Sequence, residues 1–286
     1  MDRFALMVRR HRSARGSWEV VDGQPHRVLW GRVLRYTGYG EDTRAPLRRR
    51  HLPSAEVTLI VSFDEPLQLV EMPGAGAGGG TFRSFVAGLH TRPAITEHAG
   101  HQHGIGVGLT PLAAYALFAV PMRLLAGAVV DLPGLLGRAG SELELALAEA
   151  HGWAERFALL DRALISRMDE GPVPAPEVTW AWRRLCSTAG QVAVGELAEQ
   201  VGWSHRHLVA RFREQIGLAP KSIARVLRLQ RSLVLLERSG DSLAEVALAA
   251  GFCDQAHLNR EFRALAGCTP TQWLAARLPV GVGVAA

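Results

Sequence analysis

Leu197-Ala198-Glu199-Gln200-Val201-Gly202-Trp203 and Val246-Ala247-Leu248-Ala249-Ala250-Gly251-Phe252 open two copies of one pattern, and the rest of the chain is arranged around them. Ala198 and Gly202 recur 49 residues later as Ala247 and Gly251. Leu208, Phe212, Gly217 and Pro220 recur 50 residues later as Leu258, Phe262, Gly267 and Pro270, so the second turn carries one extra residue. Agreement at this many positions marks an internal repeat. Each copy reads as a short amphipathic helix ended by a glycine that tolerates a left-handed backbone. A tight turn follows, with Ser204 or Asp254 placed to cap a second helix that buries one Leu/Phe face. Pro220 and Pro270 suit the first turn of the next element. Helix, glycine turn, helix is a unit whose second helix can enter a DNA major groove.

The spacing between copies points the same way. Lys221 to Arg238 contains no proline or glycine and reads as one helix. Eighteen helical residues span about 27 Å, against about 34 Å for one turn of duplex. A rod of that order holds two reading heads at successive grooves.

The segment from Val178 to Trp273 resembles the DNA-binding domain of the AraC/XylS transcription regulators. The likeness is carried by Gly202-Trp203-Ser204, Arg206-His207-Leu208, Arg211-Phe212 and Gly217-Leu218-Ala219-Pro220, then by Arg225, Arg228 and Leu229. It continues through Val246-Ala247, Gly251 to Leu258, Phe262-Arg263, Gly267 and Thr269-Pro270. Trp273 stands where that family usually has tyrosine, and Val209-Ala210 are apolar where many members carry a polar reader. The resemblance implies a sequence-specific regulator that binds double-stranded DNA and answers to a small effector or a partner. A contact with RNA polymerase and a homodimer would fit that role.

The recognition helices expected on this basis are 204–217 and 254–267. Exposed positions early in such a helix face base edges, and flanking basic groups meet phosphates. In the first, Arg206 suits guanine, while Val209 and Ala210 could touch thymine methyls. In the second, Gln255 and Asn259 suit adenine, Arg260 suits guanine or phosphate, and Ala256 lies between them. Ser204, His205, Arg213, Lys221 and Arg263 are candidates for the phosphate backbone.

At 286 residues the chain is long enough for two domains with real cores. Charge separates them. Residues 1–50 carry 12 Arg against 5 acids, 51–174 carry 7 Arg against 13 acids, and 175–286 carry 13 bases against 9 acids. The acidic middle should therefore avoid DNA. Three cysteines with no CxxC spacing fit a reducing cytoplasm rather than a disulfide framework. Cys186 and Cys268 are expected to pack as small apolar residues, with Cys253 in the second turn. The apolar piece 4–8 is too short for a signal peptide.

The expected organisation is α+β: a basic N-terminal arm (1–16), a β-rich, cupin-like barrel sensor domain with a helical end (17–168, helical over 132–168), a proline-rich linker (169–176), an all-α double helix-turn-helix domain (177–277) and a tail (278–286). Strands are expected at 18–21, 28–36, 57–63, 67–71, 82–89 and 104–109. Such a barrel or sandwich can enclose a ligand. Residues 73–80 contain five glycines and lack a Gly-Lys-Ser/Thr ending, so they read as a connection between strands. Residues 104–122 carry no charge, but Pro111, Pro121 and their glycines argue for a strand and short helix rather than a membrane span. The stripe Trp153, Phe157, Leu160, Leu164 and Met168 reads as core, with a dimer face as the alternative.

His90, His98, His101 and His103, with Glu97, are the one concentration of metal-ligand residue types. His101-x-His103 is similar to the cupin metal pattern, which also needs a nearby glutamate and a later histidine. Residues 104–130 hold neither, so no metal or cofactor is expected and the histidines read as exposed loop residues. A cupin-type metalloenzyme, or a DNA-repair enzyme fused to the same kind of DNA-binding module, is the alternative. It lacks a complete catalytic constellation, and no cysteine precedes Cys186.

Overall fold

The computed structural model describes residues 6–14, 16–71, 79–238, 240–276 and 284–285. The N-terminal half is built from β1 (Met7–Ser13), β2 (Gly16–Gly23), β3 (Val33–Thr43), β4 (Leu47–His51), β5 (Val57–Ser62), β6 (Leu67–Glu71), β7 (Gly80–Phe82), β8 (Ser84–Ala87), β9 (Ala94–His98), β10 (His101–Leu109) and β11 (Val129–Asp131). A short β12 (Val284–Ala285) pairs with β4. Two antiparallel sheets result, one ordered β1-β2-β3-β10-β5-β8-β11 and the other β12-β4-β9-β6-β7.

Alternation decides which face of the large sheet is apolar. Val21, Tyr36, Leu59, Val61, Ile105 and Val107 are buried against helices. These helices are α1 (Pro111–Phe118), α2 (Leu132–Leu136), α3 (Arg138–Glu149) and α4 (Trp153–Glu170). The stripe Phe157, Leu160, Leu164 and Met168 on α4 is core. Asp161 pins that helix by accepting from Tyr36 Oη and His26 N, both at 2.9 Å. Helix and sheet approach so closely that a Cβ on Gly23 or Gly38 would lie 2.4 Å and 2.3 Å from the Phe157 and Trp153 rings. Only glycine fits there.

The opposite face of the large sheet meets polar groups of the small one. Glu41 is 4% exposed, accepts from Arg49 at 2.8 Å on both oxygens and lies 3.2 Å from His98 Nε2. Burial works against its charge. Hydrogen bonding from His98 and the charge and hydrogen bonds of Arg49 outweigh that penalty, and its pKa falls below the ordinary carboxylate value.

Several expectations are corrected here. The basic segment read as an arm is, from Met7, an edge strand zipped to β2. Arg9 meets Asp22 at 2.8 Å and Arg10 meets Glu19 at 2.6 Å, so two of its arginines have cross-strand partners. Val28 and Leu29 lie in a 3₁₀ turn, and the strand begins only at Val33, after Gly31 turns the chain with φ +75°. Strands β4, β9 and β11 were not foreseen. Of the four histidines only His90 lies in a loop, half-buried between β8 and β9 against the Arg92 carbonyl; His98 is buried beside Glu41 in β9, while His101 and His103 belong to β10. Among the described residues no group of three His, Cys, Asp or Glu side chains could hold a metal ion. Cys268 is buried as expected, but Cys186 is exposed. Most of the glycine-rich connection expected at 73–80 lies outside the described residues. The uncharged stretch resolves into the end of β10, α1 and a 3₁₀ turn at Met122–Leu124. Among the described residues no helix is long and apolar enough to cross a membrane.

The C-terminal half is helical: α5 (Pro176–Ser187), α6 (Val194–Gln200), α7 (His205–Ile216), α8 (Pro220–Glu237), α9 (Leu243–Ala249), α10 (Gln255–Ala266) and α11 (Pro270–Ala275). Contacts join it to the segment before α5, to the β4–β5 connection and to the 3₁₀ turn after α1. Ala175 N donates to Gln215 Oε1 (2.9 Å), Ala55 N donates to Gln230 Oε1 (3.2 Å), and Gly217 lies against the Met122 carbonyl.

Candidate nucleic-acid interface

Both repeat copies fold as helix, glycine turn, helix. Helix α6 ends before Gly202, whose φ is +70°, and α9 before Gly251, whose φ is +84°. Ser204 Oγ then accepts from His207 N at 3.2 Å and Asp254 Oδ1 accepts from His257 N at 2.6 Å, which caps α7 and α10. Each cap satisfies a backbone donor that the first turn would otherwise leave unpaired. The same positions carry a repeated ring contact that sequence reasoning passed over. Trp203 meets His207 edge to face at 4.5 Å between centroids, and Phe252 meets His257 at 5.3 Å. Each pair closes the turn over the start of its second helix, and the extra residue in the second turn is absorbed between the partners. Inward positions correspond: Leu208, Phe212 and Ile216 in α7 match Leu258, Phe262 and Ala266 in α10, all fully buried, while buried Gln215 stands where α10 has Leu265.

Outward positions are therefore set by elimination. Ser204, His205, Arg206, Ala210 and Arg213 are exposed on or beside α7, and Val209 is half-buried. Gln255, Ala256, Arg260 and Arg263 are exposed on α10, with Asn259 half-buried, and Lys221 is exposed at the start of α8. None of these twelve positions is buried. The side chains of Arg206 and Arg260 carry no ion pair among the described residues, whereas Arg211 is held by Glu214 at 2.9 Å.

Other arginines of the motif prove to be structural. Arg225 on α8 donates through Nε to Glu261 on α10 at 2.6 Å and adds a longer bond at 3.3 Å. Arg228 lies 5.6 Å over the Phe252 ring and donates to the Gly251 carbonyl at 3.4 Å. Both fasten the second module to the rod. Their spacing on α8, i and i+3, places them on one face. Their partners lie 36 and 23 residues away, so the sequence alone could not name them.

Residues 197–276 match the family described as a helix-turn-helix domain, and residues 23–131 match a domain of unknown function, DUF6597. Over 80 residues, 28% of its length, the chain is 31% identical to the HTH-type transcriptional regulator MtrA of Neisseria gonorrhoeae, of which it covers 27%. Over 88 residues it is 27% identical to the putative HTH-type transcriptional regulator YkgA of Escherichia coli K12, covering 31% of this chain and 37% of that one. The chain thus spans little more than a third, at most, of these curated relatives. Among solved structures, ToxT of Vibrio cholerae O395 aligns with 82% of this chain and 95% of its own, at 8% identity and a TM-score of 0.47. Two antiparallel sheets lead into a helical half in which a doubled, capped helix-turn-helix matches that family over 80 residues, and residues 197–276 of this chain are a helix-turn-helix domain.

Proposed function

We propose that the chain regulates transcription by sequence-specific binding of double-stranded DNA through α7 and α10, under the control of a small effector at the N-terminal domain. One observation supports this most: two helices with matching caps and matching buried residues turn polar and basic faces to solvent at either end of one unbroken rod. The rod, α8, has 18 residues and so is about 27 Å long, close to the rise of one duplex turn. Arg206 reads guanine in this scheme, and Val209 and Ala210 lie against thymine methyls. Gln255 and Asn259 pair with adenine, and Arg260 takes guanine or a phosphate. Ala256 packs between them. Ser204, His205, Arg213, Lys221 and Arg263 meet the backbone.

The protein in this reading works in the cytoplasm by binding rather than by turnover. RNA polymerase and a second copy of the chain are its expected protein partners. Selection of binding sequences from a randomised duplex pool, followed by footprinting, tests the reading. The expected result is an enriched site with two half-elements about one turn apart, and affinity that falls steeply with salt. Recovery of unselected sequence would remove the specific-regulator reading.

A further inference from the structure

The large sheet extends beyond the helix that covers it, and its uncovered end is not apolar. Helix α4 starts at Trp153, which lies over Gly38. Past that point antiparallel register lines up two rows of side chains on the same face. Arg12, Ser17, Asp42 and His101 are successive cross-strand partners over β1, β2, β3 and β10, and Arg10, Glu19, Gly40 and His103 form the next row. With Asp64 on the wall they line a groove of about 630 Å³, within the size range of small-molecule sites. A Cβ at Gly40 would meet nothing within 4 Å, so the floor is open at its centre.

Two of these charges answer each other: Arg10 is paired with Glu19 at 2.6 Å. The Arg12 and Asp42 side chains, in one row, have no ion pair among the described residues. Asp64 Oδ2 lies 3.7 Å from His101 Nε2 and 3.8 Å from His103 Nδ1. Burial first, and then the Arg156 charge, hold the His103 pKa below its ordinary value despite Asp64 and Glu19. A neutral His103 leaves the Asp64 carboxylate uncompensated by that ring. The groove therefore offers one unmatched guanidinium, Arg12, and one unmatched carboxylate, Asp42, with Asp64 beside them in the field of Arg156. An apolar guest would desolvate these charges with no return. A simple anion would face Asp42 and Asp64, and a simple cation would leave Arg12 unmatched.

We propose that this groove binds a small zwitterion of the amino-acid class, with its carboxylate at Arg12 and its ammonium at Asp42 and Asp64. The proposal rests on the reading of the N-terminal half as the effector-binding part and names the class of effector. A route to the DNA-binding half exists in the packing. His103 touches Trp153 edge to face at 5.5 Å, α4 packs on α1, and α1 packs on α7.

The test is thermal denaturation of the full chain with each standard L-amino acid at millimolar concentration. Each is run beside its N-acetyl form, which lacks the cation, and its decarboxylated amine, which lacks the anion. A ligand that binds the folded state raises the melting temperature. The expected result is a rise with at least one amino acid and none with its two one-charge counterparts. Calorimetry should then show affinity reduced about tenfold or more in both Arg12→Ala and Asp42→Asn. Both side chains are exposed, so the unliganded melting point serves as the folding control. No response to any amino acid, an equal response to a one-charge counterpart, or binding unaffected by both substitutions would overturn the proposal. A gel shift on the same preparation separates the two readings. Intact DNA binding without amino-acid binding removes the effector class alone, and the reverse removes the proposed function alone.

Discussion

The two helix-turn-helix modules repeat each other in caps, turns and buried residues, yet they sit in the molecule differently. The first belongs to the core of the N-terminal half: Leu208, Phe212, Ile216 and Ile223 are continuous with Leu117, Phe118 and Met122 and, through them, with the sheet. The second is centred on a different cluster that includes Leu229, Leu235, Val246, Phe252, Leu258, Phe262, Leu265 and Trp273, with Leu52 of the N-terminal half packed against its edge. It is held to the rod by Arg225–Glu261 and by Arg228. Local equivalence does not confer equal mechanical standing. The module that shares a core moves with its neighbour, while the module centred on a different cluster can open alone.

The largest effect that would break this comparison is a cavity in each core. Phe212→Ala and Phe262→Ala should each cost about 3–5 kcal/mol, but with different reach. Phe212→Ala should lower the main unfolding transition, including the tryptophan signal of the N-terminal half. Phe262→Ala should release amide protection in α9, α10 and α11 while the sheets keep theirs. Hydrogen exchange reads both, and loss of protection in the sheets of Phe262→Ala would show one cooperative unit.

Next come the reading faces. Arg260→Ala should weaken specific DNA binding by about 1–3 kcal/mol and relax base choice at one position. Arg206→Ala should do the same in the other half-site. Replacing Val209 or Ala210 by serine should leave affinity nearly unchanged. Gel shifts on the selected site measure all four, and an unaffected footprint for Arg260→Ala would remove its base-reading role.

Smaller still is the seam between module and domain. Gln215→Ala removes the acceptor for Ala175 N and Gln230→Ala the acceptor for Ala55 N. Each should cost about 0.5–1.5 kcal/mol, and Gln215→Ala, being 1% exposed, should lie at the upper end. Chemical denaturation checks this ordering. Glu261→Gln, at a pair left partly exposed, should cost less than about 1 kcal/mol. Its effect should show as faster exchange in α10 with α7 unaffected.

Part of this was legible in one dimension because the forces involved are local. A glycine that must turn left-handed, a Ser or Asp that must cap, and a Leu/Phe stripe at helical spacing act within a few residues, so 204–217 and 254–267 could be bounded before any fold was known. Strand β6 was legible for the same reason. Strand β4, Leu47-Arg-Arg-Arg-His51, was not: its arginines show no apolar alternation, and Arg49 is accommodated inside only because Glu41 waits on another sheet. The N-terminal arginines likewise looked like a solvated arm until β2 supplied Glu19 and Asp22 as partners.

The sequence by itself determined that two capped helices with matching apolar faces exist, where each begins and ends, and that an uninterrupted helix lies between the two repeats. Only the tertiary structure decided which of the two shares a core with the N-terminal half, which arginines fasten rather than face solvent, and that charged rows on four strands converge in a groove. Caps and turns arise from contacts a few residues long. Shared cores, the Arg225–Glu261 pair and strand register join residues tens of positions apart, and nothing in their local context distinguishes them until the chain has folded.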